Sequence, residues 1–198
     1  REKYGIDTEV RSKYFANNSI SKLNDVLEKI SVSNHPLAPL AKKLMTVSKY
    51  NNIDIELEPY SKLQNKTTDR YNTNNTGGLY YPIENEISIA EFANFRDKSA
   101  EKTILHEILH ALSFWQLHKN GSDEQLSDFK KLFQYANDKL DVTYRYGLTN
   151  VDEFFVALFT DLDLIKELQE IKPLKNNKEY KNLWEELLDY ILNILNIK

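Results

Sequence analysis

Two histidines and a glutamate near the middle of the chain have the residue types and the spacing of a hydrolytic metal site. His106, Glu107 and His110 form the pattern His-Glu-x-x-His within a run of helical apolar period. Positions four apart lie on one face of a helix, so both imidazoles can reach one ion at about 2.0–2.1 Å. Glu107, one step round the helix, can reach a water at that ion and accept its proton. The pattern therefore predicts a zinc site of the kind that metallopeptidases use, with Glu107 as the general base. The alternative is an ordinary amphipathic helix that carries two histidines by coincidence.

A catalytic zinc needs a third protein ligand and an open fourth position, and the sequence offers several candidates for that ligand. Metzincins have a glycine and a further histidine at the positions that Ser113 and Gln116 occupy here. His118 is displaced by two residues from that position and His35 is remote, so neither is a good candidate and Glu153 is the better one. Glu153 is an acidic residue that enters an otherwise apolar helix. From the residues alone, two roles stay open for Glu153. It is either a metal ligand or a carboxylate that interacts with the helix dipole.

Two segments of the second half of the chain together resemble a known family. They are Leu105-His106-Glu107-x-x-His110-Ala111 and Tyr146-Gly147-x-Thr149-Asn150-x-x-Glu153-Phe154-Phe155-x-x-x-Phe159. This pairing is similar to the catalytic domain of the anthrax lethal factor and clostridial Pro-Pro endopeptidase family. The resemblance implies that Glu153 is the third zinc ligand and that Tyr146 hydrogen-bonds the substrate oxyanion. Where the family pattern has a further glutamate after the two phenylalanines, this chain has Val-Ala-Leu at residues 156–158.

Three neighbouring residues have roles that the sequence leaves open. Tyr144 lies outside the family spacing to Glu153, and for Tyr144 and Tyr146 alike the alternative is a packing residue with its hydroxyl in water. Asp152 or Asn150 could orient a zinc-bound imidazole, and the sequence does not choose between them.

A second resemblance extends over more of the chain. It covers the run from Ile20 through Leu44, the hairpin from Gly78 to Ile89, the motif helix, and the terminal segments Ile165-x-Glu167-Leu168 and Leu183-Trp184. These parts are similar to zincin-like peptidase modules of large polyvalent proteins in phages and mobile elements. The resemblance, with a start at Arg1 instead of methionine, is compatible with a piece cut from a longer chain.

The elements that must position these residues can be predicted from periodicity. Helices are expected behind Ser19, as an N-cap for Ile20 to Ile30, and from Pro36 onward. Alternation at Ile53, Ile55 and Leu57 predicts a strand, residues 61–76 a mobile loop, and residues 79–90 a β-hairpin. Residues 85–90 are either a strand that binds extended substrate along the sheet edge or an ordinary edge strand.

The C-terminal half is predicted to be helical. Residues 98–117 form the motif helix, and Ser122 with Gln125 forms a capping box that starts the next helix. A further helix begins near Thr149 and breaks around residues 161–163, and a last one begins near Lys178. We therefore expect an α+β, zincin-like fold over residues 1–198 as a single domain, in which a small twisted sheet lies beside the active-site helix and the helical C-terminal half supplies Glu153.

Composition limits the classes of partner. With 198 residues, 41% of them hydrophobic, the chain can bury one core, and no apolar run reaches the about 18 residues that a membrane span requires. The net charge of −4 gives no basic surface for nucleic acid and suits a peptide or protein substrate better. There is no cysteine, so any metal must be held by histidines and carboxylates. We expect a soluble protein, either a secreted or delivered effector or a phage-associated protein, whose oligomeric state the sequence leaves open.

The function that these observations favour is zinc-dependent endopeptidase activity. Two alternatives remain: a non-catalytic virion or delivered interaction module that keeps the zincin fold, and a metal-dependent hydrolase that acts on another kind of bond.

Overall fold

A computed structural model describes seven stretches of the chain: residues 14–15, 20–47, 53–58, 77–90, 100–141, 146–175 and 179–195. The chain divides into two compact units, Arg1–Ala111 and Leu112–Lys198. The described part contains seven α-helices and one four-stranded sheet, a mixed α and β composition as predicted. The single domain over residues 1–198 stays a prediction. Among the described residues, no helix is both long enough and apolar enough to cross a membrane.

The sheet lies in the first unit and consists of β1 (Ile20–Lys22), β2 (Asp54–Glu58), β3 (Gly78–Tyr81) and β4 (Glu86–Ala90), in the order β1-β2-β4-β3. β2 and β4 are parallel, and the other two pairs are antiparallel. The predicted strand around Ile55 and the predicted hairpin are thereby confirmed. The predicted loop at residues 61–76 lies outside the described residues.

The expectation that residues 85–90 form an edge strand is wrong. β4 is hydrogen-bonded to β2 on one side and to β3 on the other. Its backbone N–H and C=O groups are therefore already used in two ladders, and an extended peptide cannot add to it. Within the described sheet the edge strands are β1 and β3.

Strand alternation gives the sheet two different faces. Ile55, Leu57, Ile87 and Ile89 point to one face and are 0–4% exposed, which forms the apolar core of the unit. The residues between them, which include Glu56 and Glu86, lie on the opposite face.

Two helices of the first unit, α1 (Leu23–Ser31) and α2 (Ala38–Met45), begin later than predicted. Ile20 belongs to β1 and pairs with Glu56, so the residues directly before α1 form a strand of the sheet. The proposed N-cap Ser19 lies outside the described residues. α2 begins two residues after Pro36, and Pro39 occupies its first turn, where a missing N–H costs nothing.

The motif helix α3 spans Ala100–Ser113 and is followed by a π-helical segment, Phe114–Lys119. Ile104, Leu105, Ile108 and Leu109 are fully buried along α3. The sequence pattern predicted one regular helix to residue 117, and the change to π-helical hydrogen bonding was not predicted. π-Helical turns inside longer helices occur frequently at functional sites.

The second unit is helical, as predicted. It contains α4 (Asp123–Lys139), a 3-10 turn (Tyr146–Leu148), α5 (Val151–Thr160), α6 (Leu162–Gln169) and α7 (Leu183–Leu195). The capping box that starts α4 is confirmed, since Ser122 and Gln125 exchange both side-chain-to-backbone hydrogen bonds. The predicted break is confirmed at Asp161, which ends α5 and caps α6 by accepting bonds from two backbone N–H groups. Phe129 packs against Phe154 and Phe155 in the core of this unit, with ring centroids 5.9 and 6.0 Å apart.

Candidate metal centre

The two motif histidines meet on one face of α3. Their Nε2 atoms are 3.1 Å apart, and their rings lie at 74° with centroids 4.7 Å apart. Both side chains are half-buried, while their neighbours Leu105 and Leu109 are fully buried. The apolar residues thus fix the rotation of the helix about its axis, and that rotation leaves the two imidazoles on the accessible side.

The separation of the two nitrogens fits a shared metal ion. Two nitrogens bound to a tetrahedral zinc at about 2.0–2.1 Å are about 3.3–3.4 Å apart. The observed 3.1 Å differs from that distance by a few tenths of an ångström, which small side-chain rotations can supply. The two imidazoles thus lie at a separation that would suit two ligands of one ion, and the metal site itself stays a prediction.

Glu107 is buried, with 7% exposure, and lies against the start of β3. A Cβ atom at Gly78 would be 2.6 Å from Cγ and 3.2 Å from Cδ of Glu107. The glutamate side chain thus occupies space that a larger residue at position 78 would take. The sequence predicted Gly78 only as part of the hairpin, and its contact with Glu107 was not predicted. A glycine in a strand often marks a place where another group approaches the backbone closely, and this was the available signal.

Glu153 is held at the start of α5 by a specific cap. Asn150 is the N-cap residue, and its Oδ1 accepts hydrogen bonds from the backbone N–H groups of Asp152 at 3.0 Å and Glu153 at 2.9 Å. The Glu153 side chain is 9% exposed. Its position in the first helical turn also fits the favourable interaction of a carboxylate with the helix dipole. The side-chain oxygen of Asn150 thus already accepts two backbone hydrogen bonds, and the possible role of Asn150 or Asp152 in orienting an imidazole stays a prediction.

Tyr146 lies beside Glu153 within the second unit. Its hydroxyl donates a hydrogen bond of 2.8 Å to Glu153 Oε1, although the side chain as a whole is 59% exposed. The turn that carries Tyr146 packs closely on α5, since a Cβ atom at Gly147 would be 2.5 Å from Cβ of Ala157. Thr149 Oγ1 donates to the carbonyl of Tyr146 at 2.8 Å and closes the same turn. The spacing between Tyr146 and Glu153 is therefore set by a compact local structure.

Asp152 contacts two residues from the end of the motif region. Its Oδ1 is 2.9 Å from His118 Nε2 and 3.4 Å from Ser113 Oγ. His118 belongs to the π-helical segment, and Ser113 is the last residue of α3. By its spacing in the sequence His118 is a poor ligand, and in the structure it pairs with a carboxylate in the first turn of α5. This cluster was not predicted, because its members are distant in sequence.

His35 takes part in the turn that precedes α2. His35 accepts a hydrogen bond at Nδ1 from the backbone N–H of Leu37, at 3.2 Å, just before α2. That contact gives His35 a role in the turn. Tyr144 lies outside the described residues.

Each unit thus brings together part of the predicted site. The first unit holds His106, Glu107 and His110 on one helix, and the second holds Tyr146 against Glu153. Comparison of the chain with protein-family models, with curated proteins and with solved structures gives no significant match.

Proposed function

We propose that this chain is a zinc-dependent endopeptidase with a zincin-like fold, in which His106, His110 and Glu153 hold the metal, Glu107 is the general base and Tyr146 is the oxyanion donor. The observation that carries this proposal is the pair of Nε2 atoms 3.1 Å apart, with Glu107 buried at the next position of the same helix. Two imidazoles on one helical face and a neighbouring carboxylate are the parts that metal-assisted hydrolysis needs.

The donor set fits a catalytic zinc ion. Two histidines and one glutamate are a catalytic zinc set that leaves the fourth position open, and the chain has no cysteine to make a closed structural site. Glu153 is suited to the third place because its side chain is buried and its backbone is fixed by the Asn150 cap. The family resemblance of the two segments supports the same assignment.

Glu107 performs the proton transfers in this proposal. When bound, zinc would polarise the scissile carbonyl and make the attacking water more acidic. Glu107 accepts the proton of that water as it attacks the peptide carbon, and then donates the proton to the departing amine. Gly78 leaves the space that the Glu107 side chain needs in order to hold its position.

Tyr146 supplies charge stabilisation in this proposal. The peptide oxygen gains negative charge during the attack, so a hydroxyl that donates to it stabilises the transition state more than the ground state. In the structure this hydroxyl donates to Glu153. That bond keeps the tyrosine next to the proposed metal ligand, and the exposed ring can turn its hydroxyl to the substrate.

The proposed partner is a peptide or protein. The net charge of −4 offers no attraction for nucleic acid. The resemblance to modules of polyvalent proteins supports delivery into a host cell or association with a phage as the setting of the activity.

Peptide-library cleavage tests the proposal. Zinc-loaded wild-type chain and its Glu107→Gln variant are incubated with a mixture of extended peptides, and new amine termini are identified by mass spectrometry. We expect cleavage by the wild type and a loss of at least about a hundredfold in Glu107→Gln, with equal zinc content in both. Zinc binding without cleavage of any peptide would contradict the proposed endopeptidase activity. The remaining hypotheses would then be a non-catalytic interaction module and a hydrolase that acts on another kind of bond.

A further inference from the structure

Asp152 joins three segments of the second unit. Its Oδ1 atom is 2.9 Å from His118 Nε2 and 3.4 Å from Ser113 Oγ. An ionised carboxylate only accepts hydrogen bonds, so in this contact Nε2 of His118 carries the proton and donates it. The backbone N–H of Asp152 donates to Oδ1 of the N-cap residue Asn150 at 3.0 Å. Both the side chain and the backbone of Asp152 are therefore held in place.

The π-helical segment explains how Ser113 and His118 reach the same carboxylate. In a regular α-helix each residue turns by about 100°, so two residues five positions apart point in directions about 140° apart. The segment Phe114–Lys119 instead has π-helical hydrogen bonds, each from an N–H to the carbonyl five residues earlier. This pattern brings residues five apart closer to one line along the helix. Asp152 thus meets both side chains on one side of the segment.

The contact lies next to two of the proposed zinc ligands along the chain. Asp152 directly precedes Glu153 in α5, and Ser113 lies three positions after His110 on the unbroken helix α3. Residues three apart on a helix are neighbours on one face. Residues that do not bind a metal themselves often hold its ligands in the required orientation. Asp152 and its partners are placed to do so.

We propose that Asp152 and His118 are positioning residues that hold Glu153 in the orientation that zinc binding requires. This inference rests on the proposed zinc site. His118 fixes the carboxylate of Asp152, and Asp152 in turn fixes the first turn of α5, which carries Glu153. The side chains of His118 and Asp152 are 32% and 41% exposed, so water screens their attraction. Loss of the pair should therefore weaken zinc binding by a modest factor, about fivefold.

Zinc affinities of the full chain, measured by competition with a chromogenic chelator, test this role. His118→Ala should still bind one zinc per chain, about fivefold more weakly than the wild type, and Asp152→Ala should lose at least as much affinity. His118→Gln should keep the wild-type affinity, because its amide nitrogen can donate in place of Nε2. Asp163→Ala is the matched control and should leave the affinity unchanged. Asp163 has the same place in the first turn of α6, and its backbone N–H likewise donates to the N-cap side chain.

Two further measurements separate positioning from stability, at a temperature at which all variants are folded. If His118 acts through Asp152, His118→Ala should lower zinc affinity in the wild type but not in Asp152→Ala. With cobalt(II) in place of zinc, the visible absorption of the ion depends on the geometry of its ligands. That spectrum should change in Asp152→Ala and stay the same in Asp163→Ala, whereas a loss of stability alone would change neither.

The possible failures can be told apart. A wild-type chain that takes up no zinc would remove the proposed metal centre and this inference with it. If the wild type binds zinc, equal affinities in the wild type and Asp152→Ala would overturn the positioning role alone. The same holds for equal losses in Asp152→Ala and Asp163→Ala, for additive losses in His118→Ala and Asp152→Ala, and for an unchanged cobalt spectrum in Asp152→Ala.

Discussion

Replacement of Gly78 by alanine should damage catalysis through Glu107 while the metal stays bound. The new Cβ atom would lie 2.6 Å from Glu107 Cγ, whereas non-bonded carbons normally stay about 3.5–4.0 Å apart. The glutamate must therefore move by about 1 Å. A displacement of that size at a reacting group can cost about a hundredfold in rate, or about 2.7 kcal/mol of activation free energy. The same methyl group approaches Ile89 Cδ1 at 3.0 Å, the flexible end of its side chain, so overpacking should lower stability by about 1–3 kcal/mol.

A double-mutant cycle separates this effect from general damage. Cleavage rates and zinc content are measured for wild type, Gly78→Ala, Glu107→Gln and the double variant, at a temperature at which all four are folded. If Gly78 acts through Glu107, the alanine should lower the wild-type rate about a hundredfold and the residual rate of Glu107→Gln hardly at all. Equal losses in both backgrounds would refute this reasoning, and so would an unchanged rate in Gly78→Ala.

Three further variants probe the second unit. Tyr146→Phe should lower turnover by about a hundredfold to a thousandfold with unchanged zinc content, since one oxyanion donor typically contributes about 2.7–4 kcal/mol. Tyr180→Phe is the matched control. Equal losses of turnover in the two variants would contradict the role of Tyr146 as oxyanion donor. Glu153→Gln keeps the shape of the side chain but should weaken zinc binding by at least about tenfold in a competition assay with a chromogenic chelator. A Glu153→Gln variant that binds zinc as tightly as the wild type would exclude Glu153 as a ligand. Ser122→Ala should lower the free energy of unfolding, measured by urea titration, by about 0.5–2 kcal/mol. Ser122→Gly should lower it by only about a few tenths of a kcal/mol, because glycine is also a favourable N-cap. A larger loss in Ser122→Gly than in Ser122→Ala would contradict the capping role.

Features that depend on neighbours in sequence were predictable. The pairing of His106 with His110 follows from the four-residue spacing on any helix, and the capping box of Ser122 with Gln125 follows from a three-residue spacing. The break at Asp161 is of the same kind, because its side chain bonds to the two backbone N–H groups that follow closely. In each case the physical cause lies within one helical turn, and the sequence contains all of it.

Features that depend on distant pairing were not predictable. Ile20 fits the apolar period of the helix that follows, but pairing with Glu56 places it in a strand. β4 looked like an edge strand because its parallel pairing with β2 joins segments that are separated by many residues. The contact of Gly78 with Glu107 and that of His118 with Asp152 have the same origin. Local sequence patterns do not predict such pairs, because the packing of the whole unit determines which distant residues meet.

Zinc titration of the metal-free chain, read by a competing chromogenic chelator, tests most directly whether the motif histidines hold a catalytic metal. We predict one zinc per chain in the wild type and in His118→Ala, whose imidazole is engaged with Asp152, and a sharp loss of zinc binding in His110→Ala. A wild-type chain that takes up no zinc would contradict the proposed metal centre, and so would a His110→Ala variant that binds zinc as tightly as the wild type.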